Sequence, residues 1–205
     1  MRIVTLVVAP LLLAALAASH PLILPQIPLY RQIEPMPGWW FALHVIQLPL
    51  LGLLATGIVQ LTRNLRGPSV TVTRVGVVGF FVFYIAMIAI LGICLPMLVR
   101  FGMQLPPPAQ EVVAAAVQTI WDDRVIGNFS LMSLSAALAW ALAILGVAAA
   151  LRGTGAPAAP LALLVTGAIF YGLSHARPFG PIGMLLFAAG AAWLLRHPSM
   201  RRREV

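Results

Sequence analysis

Residues 75–99, lying between Arg74 and Arg100, run for 25 positions without one charged side chain. As a helix this stretch would reach roughly 37 Å, more than the ~30 Å hydrocarbon core of a bilayer. A soluble domain has no interior wide enough to hide such a segment on all sides, so its natural surroundings are lipid. The rest of the chain repeats the pattern. Further apolar segments run over about 3–19, 39–61, 129–151, 161–175 and 181–195. The chain therefore reads as an all-α membrane protein of six transmembrane helices, forming a single domain over residues 1–205. The last two segments are short for a span, and a re-entrant hairpin is the alternative for them. The first also has a second reading, because Met1-Arg2, an apolar run and Ala15-Leu16-Ala17 resemble a cleavable leader. It is taken here as a retained helix.

Charge decides orientation. The 13 basic residues are all arginine, and five acids leave a net charge of +8. Such a balance can indicate nucleic acid as a partner, but here the arginines sit in short runs beside apolar segments and not on one soluble face, so no nucleic-acid partner is expected. Six spans place Arg2, Arg63, Arg66, Arg74, Arg152, Arg196, Arg201, Arg202 and Arg203 on one side. Arg31, Arg100, Arg124 and Arg177 fall on the other, offset by Glu34, Glu111, Asp122 and Asp123. The positive-inside bias makes the first side cytoplasmic, with both termini there.

Two outer connections are long enough to be structured. The first, HPLILPQIPLYRQIEPMPG, is proline-rich and reads as an extended interfacial hairpin with Tyr30, Trp39 and Trp40 at headgroup depth. The second holds a short interfacial helix over about 108–121, in which Val113, Ala116, Val117, Ile120 and Trp121 form one apolar stripe. Asp122 and Asp123 end that helix, where its dipole disfavours them. Pairing of Arg177 with Asp122, Asp123 or Glu34 is one explanation, and solvated turn residues are the other. Asn128 reads as the N-cap of the fourth span. Pro10, Pro49 and Pro96 should kink their helices.

The stretches WFALHVIQLPLLGLL, VGFFVFYIAMIAILGI and SHARPFGPIGMLLFAAGAAWL resemble a group of bacterial multi-pass membrane proteins of about this length. The resemblance is most specific at His44 with Gln47 and Pro49, and at Ser174-His175 through Gly183. It implies a multi-pass topology and a bacterial cytoplasmic (inner) membrane, and it carries no activity. Where relatives often place an acidic residue in the third span, this chain has Met87 and Ile88.

Chemistry falls to the histidines. His20 ends the first span, His44 lies a little over one turn inside the second, and His175 closes the fifth, all on the outer side; His197 is in the cytoplasmic tail. Three imidazoles at one depth can converge on a transition metal and leave an open position, and two from different helices can serve as axial ligands to haem. Interface histidines held by ordinary hydrogen bonds are the competing reading. Gln47 and Tyr171 share helix faces with His44 and His175 and are placed to orient the rings. Cys94 and Met97 would offer copper soft ligands, although core packing is the usual role of such residues. The sequence has no HExxH, GxSxG or phosphate loop. The functional expectation is an outward-facing histidine pocket binding a metal ion or haem for redox or transport. The alternative is a non-catalytic accessory subunit that packs against lipid and against other membrane subunits or itself. An enzyme acting on lipid would need clustered acids, and only Asp122 and Asp123 qualify.

Overall fold

A computed structural model describes residues 1–197, and these are all-helical, without a strand. Arg201, Arg202 and Arg203, which contribute to the orientation argument, lie outside the described residues. The helices are α1 (Val4–Ser19), α2 (Leu29–Ile33), α3 (Pro37–Thr62), α4 (Pro68–Gly102), α5 (Pro107–Asp122), α6 (Leu131–Arg152), α7 (Ala158–Leu173) and α8 (Phe179–Arg196). Every apolar segment expected from the sequence is a helix, and so is the expected interfacial segment, α5. Four of them, α3, α4, α6 and α8, are long and apolar enough to cross a membrane. α1 and α7 are apolar but have 16 residues each, roughly 24 Å of helix.

Two of the three prolines inside apolar helices act through a widened turn. The stretch Val4–Val8 is π-helical, Ala9 N–H bonds back five residues to Val4 O, and Pro10 follows. In α4 the stretch Ile88–Cys94 is π-helical, Leu95 N–H reaches Ile90 O, and Pro96 follows. A proline has no N–H to give and its ring clashes with the carbonyl four residues back; one wide turn relieves the clash, while the missing donor must be replaced from elsewhere. In α4 the next bond of that register would run from residue 96 to Leu91 O. Pro96 cannot make it, and the Trp40 indole N–H from α3 bonds Leu91 O instead, at 3.2 Å.

α4 packs along α6, α7 along α8, and α1 against α8 and α3, while α6 also meets α7. The backbones come close through small residues. A Cβ on Gly76 would strike the Ala143 backbone, one on Gly146 would meet Thr73 and Ser69, and Gly167 and Gly183 face each other's carbonyls across α7 and α8. Without a hydrophobic force between helices in lipid, such close contact is what holds them together. The opposite face of α6 carries Leu134, Leu138, Leu142 and Leu145, all exposed and spaced along one stripe. An apolar outer face of this kind suits lipid.

The connections between α1 and α3 and between α4 and α6 depart from the sequence reading. The first is no extended hairpin: it turns back through α2, burying Leu29, Tyr30 and Ile33, and Leu29 N–H donates to Gln118 Oε1 of α5 at 2.9 Å. Tyr30 and Trp40 are buried among protein side chains, whereas Trp39 is exposed. α6 is capped by Ser130, whose Oγ accepts from Ser133 N–H at 3.3 Å, and not by Asn128; Phe129, at φ 52°, sits between them. The acids have partners other than Arg177: Glu34 binds Arg31 at 3.0 Å, and Asp122 accepts from Gln118 Nε2 at 2.9 Å. Asp123 Oδ1 accepts from the N–H groups of Val125 and Ile126 at 2.8 and 2.9 Å. Those two bonds hold the Asp123 carboxyl below the usual carboxylate range. A carboxyl with a lowered folded value supports its turn above about pH 4 and loses that support as pH falls through the lowered value. The Val125 and Ile126 amide resonances should therefore titrate with a midpoint below that of an ordinary aspartate. A midpoint at the ordinary value would show that the turn bonds do not form.

Candidate metal centre

Three separate elements each deliver one histidine to the same end of the helical body. α1 stops at Ser19 because Pro21 excludes helical backbone at the residue before it, and His20 is extended at φ −63°, ψ 131°. Its ring then folds over so that Nδ1 lies 2.8 Å from Pro21 O. His44 stays within α3, and its ring turns back toward the helix N-terminus as helical side chains do, placing Nδ1 2.7 Å from Trp40 O. α7 ends at Leu173, because Ser174 is extended at ψ 131°, so His175 lies in the following turn and not at the helix end that the sequence assigns to it. The first turn of α8 closes over it: a Cβ on Gly180 would collide with the His175 carbonyl.

The three rings meet. Their centroids are 5.5 Å apart for His20 and His44, 5.4 Å for His20 and His175, and 6.0 Å for His44 and His175, with ring planes crossing at 85°, 85° and 73°. One nitrogen from each ring lies within 4.8 Å of those of the other two. The carbonyl oxygens beside His20 and His44 can only accept, so each ring carries its proton on Nδ1 and leaves the Nε2 lone pair free. His175 Nε2 is buried and has no hydrogen-bond partner. A ring whose second N–H is fixed on a backbone carbonyl is the usual arrangement of a metal-binding histidine. Nitrogens around one tetrahedral ion stand roughly 3.3 Å apart for bonds of 2.0–2.1 Å, so small ring movements would complete the geometry.

The surroundings are not those expected from helix spacing alone. Gln47 makes no hydrogen bond to His44: its Nε2 donates to Tyr84 OH at 2.8 Å and to Tyr171 OH at 2.9 Å, and the two phenol oxygens are 3.3 Å apart. Tyr171 is tied into that cluster, so neither residue orients a histidine through a hydrogen bond. Each lies on the expected face but points past the nearer ring toward the other helices. The groups that do wall the histidines are Trp40, 5.1 Å from the His20 ring and 5.7 Å from the His44 ring, and Tyr84, 5.9 Å from the His175 ring. On the α4 side lies Gly92, where a Cβ would overlap the His44 ring. Cys94 and Met97 are both exposed and play no part. Tyr84 and Gly92 lie outside the sequence reading, and Trp40 enters it only as an interface residue. Tyr84 could have been found as the one hydroxyl in the 25-residue apolar run, and Gly92 as a gap four residues before Pro96.

Trp40 links the parts: its indole completes the broken ladder of α4, its carbonyl holds His44, and its ring packs on His20. Trp40→Phe should leave Leu91 O buried without a donor and cost about 1–3 kcal/mol. Thermal unfolding of the two proteins in the same detergent measures this, and an unchanged midpoint would refute it.

No protein-family model, curated protein or solved structure matches the chain. The structure defines a class: an all-helical protein with four helices able to cross a membrane and a cluster of three histidines, two of them buried.

Proposed function

We propose that the protein is an integral membrane protein of six spans, with both termini cytoplasmic, that holds a transition-metal ion in an outward-facing histidine pocket for redox or transport. The observation that carries this is the meeting of His20, His44 and His175, one from each of three elements, with one nitrogen of each within 4.8 Å of the others. The carbonyl partners of His20 and His44 add to it by fixing the tautomers that expose a lone pair. A single ion suits the space better than haem. Haem needs two rings opposed across a flat slot, and here the third ring stands 5.4–5.5 Å from both of the others. The bacterial inner membrane is the setting that the sequence resemblance implies.

Full-length protein purified in detergent, incubated with metal and desalted, should hold about one ion per chain by elemental analysis. Protein that retains none would leave the accessory-subunit reading, for which the exposed leucine stripe of α6 offers a lipid or partner surface.

The topology is tested separately. Reporters fused after Arg66 and Val205 should read cytoplasmic, and those after Glu34 and Asp123 external, because nine arginines face four across the six spans. A cytoplasmic reading after Asp123 would overturn the six-span arrangement and the outward direction of the pocket.

A further inference from the structure

We infer that the three-histidine centre takes its metal as a monovalent ion, copper(I), in preference to a divalent ion such as zinc; this rests on the metal reading above. The argument is one of charge. All three donors are neutral nitrogens, and no carboxylate joins the cluster among the described residues. Glu34 is bound to Arg31, Asp122 to Gln118, and Asp123 to its own turn, while Glu111 lies on α5. The formal charge that acts on the centre is positive: Arg177 is two residues beyond His175, and its field reaches His20.

The centre is also withdrawn from water. His20 and His44 are 1% and 4% exposed, and His175 Nε2 is buried. The cost of moving an ion into such a medium grows with the square of its charge, so a divalent ion pays about four times what a monovalent one does. Three neutral imidazoles leave the whole +2 of zinc uncompensated, with Arg177 adding to it. Coordination number points the same way. Zinc centres are almost always four-coordinate, with water or substrate completing a three-histidine set. Here Trp40, Tyr84 and Gly92 close in on the rings, whose planes cross at 73–85°. Copper(I) is stable with three nitrogen donors and needs no fourth.

The test uses full-length protein in detergent without oxygen. Copper(I) is titrated in competition with a chromophoric copper(I) chelator, and zinc(II) with a chromophoric zinc indicator. The expected result is one copper(I) per chain, bound more than about tenfold more tightly than zinc (1.4 kcal/mol), with loss of copper(I) binding in His175→Ala. Silver(I), a monovalent ion that does not change oxidation state under these conditions, should displace the copper. Zinc binding within tenfold of copper(I), or tighter, overturns the monovalent preference and leaves the metal centre standing. If neither ion binds, both readings fall.

Discussion

His44→Ala is expected to remove bound metal almost completely, from about one ion per chain to below about 0.1, with the helices still formed. The reasoning starts from the number of donors. His20 and His175 would remain, but two neutral nitrogens without the third ring hold an ion far more weakly against water and buffer. Among the described residues no other side chain is poised to substitute, because Gln47 is committed to Tyr84 and Tyr171, and Cys94 is exposed. The lost ring opens a cavity between α3 and α4, at a cost of about 2–4 kcal/mol. The crossings of α4 with α6 and of α7 with α8 do not involve His44 and should persist. His175→Ala should behave in the same way. Metal content by elemental analysis and helicity by circular dichroism decide the matter together. Undiminished metal in both variants would end the proposal, and loss of helicity would show that the histidines hold the fold instead.

Much of this arrangement could be read from residue order, and its failures share a cause. Apolar runs fix where helices form, since a backbone in lipid must satisfy its own hydrogen bonds. Pro21 then places His20 at a helix end, and the alternation of helices expected from the sequence puts it at the same end as His44 and His175. Side-chain partners across helices were not legible. Gln47 is three residues after His44 and Tyr171 four before His175, so helical spacing made each pair look local. Which way a side chain turns depends on neighbours distant in sequence, and here Tyr84, 37 residues from Gln47, draws both of them inward. On sequence alone, its aromatic character places Trp40 at the membrane interface. Its burial follows from Pro96 leaving Leu91 O without a donor, a relation between two helices that neither segment reveals alone.

Gly92→Ala should disable the centre without touching a ligand. A methyl group there would collide with Cγ, Cδ2 and Cβ of His44, the root of the ring and not a flexible end. Rotating His44 away would break the Nδ1 bond to Trp40 O and carry the other nitrogen out of the cluster. Moving the backbone is also difficult, because the π-helical stretch Ile88–Cys94 is tied to α3 through the Leu91 carbonyl. Overpacking of this kind costs about 1–3 kcal/mol, and a misdirected ligand lowers metal affinity by at least the roughly 10–100-fold seen when an orienting partner is lost. Gly52, in the same helix as His44, supplies the control, since a Cβ there meets nothing within 4 Å. Gly52→Ala should bind metal like the parent protein, and helix propensity should make it more stable by about 0.5–1 kcal/mol. The comparison reads metal affinity and thermal midpoint in the two variants side by side. Full affinity in Gly92→Ala would mean that His44 is free to move and that the fit of α4 against its ring does not shape the centre.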